Sequence, residues 1–156
     1  MQLHYKKYSE KGQPLIVLHG LFGSQSNWGG HCKALAEKFS VIGVDLRNHG
    51  DSAHTPEHNY QVMAEDIKEL LRSLDLSSAY LLGHSMGGKV AMELALSYPD
   101  LVDRLLVVDI APVLYTGKAD GHEQVMAGMN ALDLASLQSR SEAEAGLADY
   151  IEDEAT

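Results

Sequence analysis

Four short runs of almost wholly apolar residues punctuate this sequence: LIVLHG (15–20), VIGVDL (41–46), AYLLGH (79–84) and LLVVDI (105–110). Between them apolar residues recur at helical spacing. Trp28, Cys32, Leu35, Ala36 and Phe39 form one stripe. Met63, Ile67, Leu70, Leu71 and Leu74 form the next, and Val90, Ala91, Leu94, Ala95 and Tyr98 a third, which Pro99 closes. A strand apolar on both faces must be covered on both faces. Strands of that kind alternating with amphipathic helices predict an α/β fold: a mostly parallel sheet with helices on each side. The opening LHYKKY (3–8) alternates loosely and predicts an antiparallel edge strand.

After Pro112 no strand-like run remains. Val125, Met126, Met129 and Leu132 predict one helix. Ser141 with Glu144 fits a capping box for a second, continued by Ala143, Leu147 and Ile151. Residues 1–112 therefore read as the α/β core. Residues 113–156 read either as the start of a helical cap or lid inserted after the fourth parallel strand, or as a peripheral helical tail.

Charge narrows the partners. With 22 acidic residues against 12 basic ones, the formal charge is −10. That is no footprint for nucleic acid and is repelled by an anionic membrane surface. No apolar run approaches a membrane-spanning length, so no membrane insertion is expected. The single cysteine, Cys32, forms no internal disulfide. It shares a stripe with Trp28 and Leu35, as a small buried hydrophobe would. A lone thiol and the lack of an apolar leader in MQLHYKKYSEKGQP fit a cytoplasmic or matrix-like location.

The sharpest local signal is GHSMG, residues 83–87. It follows an apolar strand and opens a helical stripe, the context in which G-x-S-x-G forms a nucleophile elbow. Gly83 and Gly87 let neighbouring backbone pass close, so Ser85 stands on a tight strand-to-helix corner at the carboxyl edge of the sheet, where open α/β sheets bind ligands. The N–H of Met86, at a helix N-terminus, is placed to receive negative charge. A second donor is expected from HGLFGS (19–24), which ends the first parallel strand at the same edge. Leu21 N–H is the candidate, with Phe22 N–H as the alternative. His19 and Gly20 also read simply as a turn.

Asp109 ends the fourth run at that edge. It suits an acid that orients a histidine, and equally a turn cap before Ala111-Pro112. Asp45 also ends a run, and its neighbour Arg47 suggests a local ion pair. Eight histidines are present, but none follows a late strand, where the order Ser, Asp, His would place the base. His84 adjoins Ser85, and consecutive side chains diverge. The general base is therefore expected outside this chain.

HGLFGS, DLRNHGDS, GHSMGGKVAM and VVDIAPVLY, in this order and spacing over residues 1 to about 130, resemble the α/β-hydrolase superfamily. They are most similar to small bacterial esterases of the YbfF type and their mitochondrial relatives. The resemblance implies a serine hydrolase of small acyl esters or thioesters, with no metal or organic cofactor. It implies Ser85 as nucleophile and Asp109 as triad acid. Members of that family continue past the cap with further strands and the catalytic histidine, so this chain is expected to be an N-terminal fragment, inactive alone. Phe22, Trp28, Val113, Leu114 and Tyr115 could line an acyl pocket, or be ordinary core. The alternative is a non-catalytic interaction module, a homo-oligomer or a complementing partner built on the uncovered edge of the last strand.

Overall fold

A computed structural model describes residues 1–113, 120–148 and 150. They fall into two compact units, Met1–Pro112 and Val113–Thr156.

The first unit is a five-stranded sheet. Its strands are β1 (Tyr5–Lys7), β2 (Gln13–Leu18), β3 (Phe39–Val44), β4 (Ala79–His84) and β5 (Val102–Val108), in spatial order β1-β3-β2-β4-β5. Only β1 runs antiparallel, pairing Tyr5 with Val44 and Lys7 with Ile42. The helices are α1 (Gly29–Leu35), α2 (Tyr60–Ser73) and α3 (Met86–Ser97). A 3₁₀ turn at Gln25–Trp28 precedes α1.

The period-2 alternation of each strand sorts its apolar residues onto two faces. Leu15, Val17, Val41 and Leu82 meet Cys32 of α1, with Trp28, Leu35 and Ala36 packed around them. Ile16, Leu18, Ile42, Val44 and Leu81 meet Met63, Ile67 and Leu71 of α2 and Val90, Ala91 and Leu94 of α3. Side chains this deeply buried contribute about 1.5–3 kcal/mol each relative to exposure. Cys32 is buried as the sequence predicts, and burial pushes its thiol up to about 11.

The chain leaves β2 toward β3 on one side and leaves β4 toward β5 on the other. Those connections diverge between β2 and β4, so a crevice opens at the carboxyl ends of the two central strands. The loop after β2 and the serine turn after β4 both lie there.

Several sequence expectations shift in register. Phe39, expected at the end of the first helical stripe, opens β3 instead. β5 spans Val102–Val108, not 105–110, so Asp109 lies just past the strand; its φ of 57° takes the backbone out of the ladder before Ile110. In the second unit, α4 spans Asp120–Ala131 and α5 spans Arg140–Leu147. Ser139, not Ser141, caps α5, accepting from Glu142 N at 3.2 Å, while Glu142 Oε2 accepts from Gln138 N at 2.7 Å. The segment SRSEAE holds two overlapping S-x-x-E patterns, and the earlier one is used. Within this unit Gly128 packs against Leu147 and Tyr150, and Gly146 against Leu132. Ile151, expected to extend α5, lies outside the described residues, as do Leu114 and Tyr115. No helix among the described residues is long and apolar enough to cross a membrane.

Candidate active site

Ser85 joins β4 directly to α3 with φ 48° and ψ −115°, a region that L-residues rarely occupy. Close approach of backbone makes the corner possible. A Cβ on Gly83 would run into the Gly87 carbonyl, and one on Gly87 would lie 2.5 Å from the His19 carbonyl oxygen. The corner is tied on both sides: Ser85 N–H donates to Val108 O at 3.0 Å and Gly87 N–H to His19 O at 3.1 Å. The Ser85 side chain is half-buried and caps nothing. Its hydroxyl is therefore held at the crevice without being spent on a helix cap.

The loop after β2 lies against this corner. A Cβ on Gly20 would stand 3.4 Å from Ser85 Cβ and 2.8 Å from His84 Nδ1. Gly20 O accepts from Gly23 N–H at 3.1 Å, closing a tight turn that places Phe22 at φ 61°. Among the described residues neither Leu21 N–H nor Met86 N–H finds an acceptor. Two unspent amides beside a strained serine can stabilise developing negative charge.

His19 is more than a turn residue. It is buried, its Nε2 accepts from Leu46 N–H at 3.1 Å, and its Nδ1 therefore donates to Gly20 O at 2.7 Å. Burial holds its pKa below the usual value despite the bond to Gly20. A neutral His19 thus fastens the loop after β2 to the end of β3. Its position ahead of Gly20, at the end of an apolar run, was the only sequence signal of this.

Asp45 does not pair with Arg47. The Arg47 guanidinium turns to α2, where Nε and Nη2 reach the two oxygens of buried Asp66 at 2.6 and 2.9 Å. Asp45 instead accepts from Gln25 N (2.7 Å), Asp51 N (3.1 Å) and His4 Nδ1 (2.7 Å). Burial alone would raise its pKa, but these donors bring it below the usual carboxylate value. The polar run after β3 carried the signal, since a tight loop of Asn48, Gly50 and Ser52 needs an acceptor for its amides. His4, Asp45 and Asp51 also offer donor atoms within 4.8 Å of one another, the one such metal-ligating group among the described residues. Asp45 already accepts three hydrogen bonds there.

Asp109 presents the opposite picture. Its side chain is 84% exposed, and its nearest recorded partner is His84, whose Nε2 lies 3.7 Å from Oδ2. The His84 ring packs over Gly20, against the same point that Ser85 Cβ approaches, and stands 5.9 Å from the Trp28 ring. Phe22 is 46% and Val113 54% exposed, whereas Trp28 packs against the α1-side core.

Comparison with known proteins matches residues 13–155 to the alpha/beta hydrolase fold family. Esterase YbfF of Escherichia coli is 35% identical over 158 aligned residues, covering 99% of this chain and 61% of that protein. The sn-1-specific diacylglycerol lipase of Danio rerio is 45% identical, covering 81% of this chain and 41% of the lipase. A solved marine microorganism esterase superposes with a TM-score of 0.90 at 40% identity, over 97% of this chain and 59% of the esterase. The chain spans about half the length of the curated relatives it matches.

Proposed function

Because this chain belongs to the α/β-hydrolase family, we propose that it carries the nucleophile, acid and oxyanion donors of a serine hydrolase acting on carboxylic esters or thioesters. The observation that carries this reading is the half-buried Ser85 on its left-handed corner, next to the Met86 N–H, which finds no acceptor among the described residues. The esterase and the lipase among its relatives support the substrate class.

In the reaction, Ser85 Oγ attacks the acyl carbonyl carbon while a general base takes the hydroxyl proton. Met86 and Leu21 N–H groups hold the resulting oxyanion. Collapse of the tetrahedral species expels the alcohol or thiol, which recovers the proton from the base. Water then attacks the acyl-enzyme with the same base assisting, and the acid is released. Asp109 orients that base and stabilises its charged form. The base itself comes from outside these 156 residues. His84 stands beside Asp109, but Ser85 makes no hydrogen bond to it. Phe22 and Trp28 line the acyl pocket in this reading.

The test joins this chain to the C-terminal part of a full-length relative and measures short-chain ester turnover. Ser85→Ala should lower kcat at least about a thousandfold. Retained turnover would remove Ser85 from its role. Strong Ser85-dependent turnover by the 156 residues alone would overturn the placement of the base.

A second reading rests on a different observation. Among the described residues the outer edge of β5 pairs with no strand, and Leu105 and Leu106 are 39% and 56% exposed. An apolar edge of this kind is a template for another strand. Self-association or capture of a complementing segment follows from it. Sedimentation at rising concentration should show a homo-oligomer, and a monomer throughout would count against this reading.

A further inference from the structure

The geometry points to Lys89 as a positioning residue that fixes Asp109 beside the serine corner. This rests on the reading of Asp109 as the acid, and adds the part that holds it.

Residues 107–111 run off β5 across the first turn of α3, and the contacts that hold them there among the described residues include three to that corner and helix. Ser85 N–H donates to Val108 O at 3.0 Å. Ile110 fills the space over Gly88, where a Cβ would stand 2.6 Å from Ile110 Cγ2. Lys89 Nζ donates to Ala111 O at 2.9 Å. Asp109 lies between the first and last of these. Its backbone sits at φ 57°, which costs an L-residue about 1–2 kcal/mol. Its carboxylate is 84% exposed, with His84 at 3.7 Å, so its own contacts fix it weakly. The place of the carboxylate is therefore set by the strap around it.

Lys89 is an unexpected residue for its position. It lies in the first turn of α3, where the helix dipole disfavours a cation. A charge-assisted bond to a carbonyl offsets that cost. Lys89 N–H also donates to Ser85 O at 3.1 Å. One residue thus links the serine corner through its backbone and the acid's strap through its side chain. Displacement of the strap by an ångström would misdirect any base that Asp109 orients, and misplacement of that size is costly to catalysis.

The experiment uses the full chain with Lys89→Met and Lys89→Arg. NMR follows the Ala111 carbonyl resonance and the cross-peak between the His84 ring and Asp109 side-chain protons. Lys89→Met should shift the carbonyl and remove the cross-peak, and Lys89→Arg should restore both. In parallel, imidazole is added as an external base, and phosphonylation of Ser85 by a fluorophosphonate is followed by mass. Fluoride leaves as the Ser85 oxygen bonds phosphorus, and imidazole takes the proton. The imidazole-dependent rate should fall about tenfold in Lys89→Met and recover in Lys89→Arg.

An unmoved carbonyl and intact cross-peak in Lys89→Met overturn the role of Lys89, whatever Ser85 does. A lost cross-peak with an unchanged imidazole-dependent rate overturns the positioning consequence. Absence of imidazole-dependent labelling in the wild-type chain overturns the hydrolase reading and this inference with it, and the NMR arm still reports the tether separately.

Discussion

Asp45 and Asp109 both stand where a parallel strand gives way to a loop at the same edge of one sheet, and they have opposite surroundings. Asp45 is buried and accepts from two backbone amides and a histidine. Asp109 is exposed, on left-handed backbone, with a single histidine nearby at 3.7 Å. A carboxylate whose lone pairs are filled holds structure together. One left open on a strained backbone can serve a reaction. The same contrast separates the satisfied loop after β3 from the unspent amides of Leu21 and Met86. Of the five non-glycine residues with positive φ among the described residues, Phe22, Ser85 and Asp109 lie in the candidate site.

The contrast is broken most severely on its structural side. Arg47→Ala leaves buried Asp66 without its guanidinium and should cost about 4 kcal/mol in urea unfolding. Asp45→Ala strands the Gln25 and Asp51 amides and should cost about 3 kcal/mol. An unfolding midpoint unchanged by either would refute the structural role of this loop.

Acid should sharpen the comparison more gently. Burial holds the His19 pKa below its ordinary 6.5, so its contribution to stability is complete above that value and is lost as pH falls through the folded pKa. Asp45 is held below its ordinary 3.8, so its share survives further and is lost only as pH drops below that. Stability should therefore decline in two stages on acidification. His19→Gln should flatten the upper stage, and an unchanged profile would contradict a neutral, buried His19.

Asp109→Asn gives the smallest effect on folding. An exposed carboxylate with one weak contact should change stability by less than about 0.5 kcal/mol. A loss comparable to that of Asp45→Ala would place Asp109 among the structural acids and dissolve the contrast.

Much of this was legible in the residues, for identifiable reasons. AYLLGH was read with its true ends because Gly83 and the serine corner leave no room for the ladder to continue. Cys32 was read correctly because a stripe of 3.6 periodicity leaves it one side to face. The Asp45–Arg47 pairing was misread because adjacency in sequence says little once a strand ends; Arg47 finds its partner 19 positions away on α2. The ends of β5 were misread because its polar start, Val102-Asp103-Arg104, resembles a loop yet pairs with β4. Contacts of His19, His84 and Lys89 needed three dimensions, since each joins loops that only the strand order brings together.

The central claim is that Ser85 faces amides already aimed to receive negative charge. The most direct test adds an alkyl boronic acid, which forms a tetrahedral anion on a serine oxygen, and follows backbone amide resonances by NMR. The account predicts an adduct at Ser85, absent in Ser85→Ala, with the Leu21 and Met86 amide protons moving downfield more than any others. An adduct that leaves those two amides unmoved, or one that forms equally well in Ser85→Ala, would contradict it.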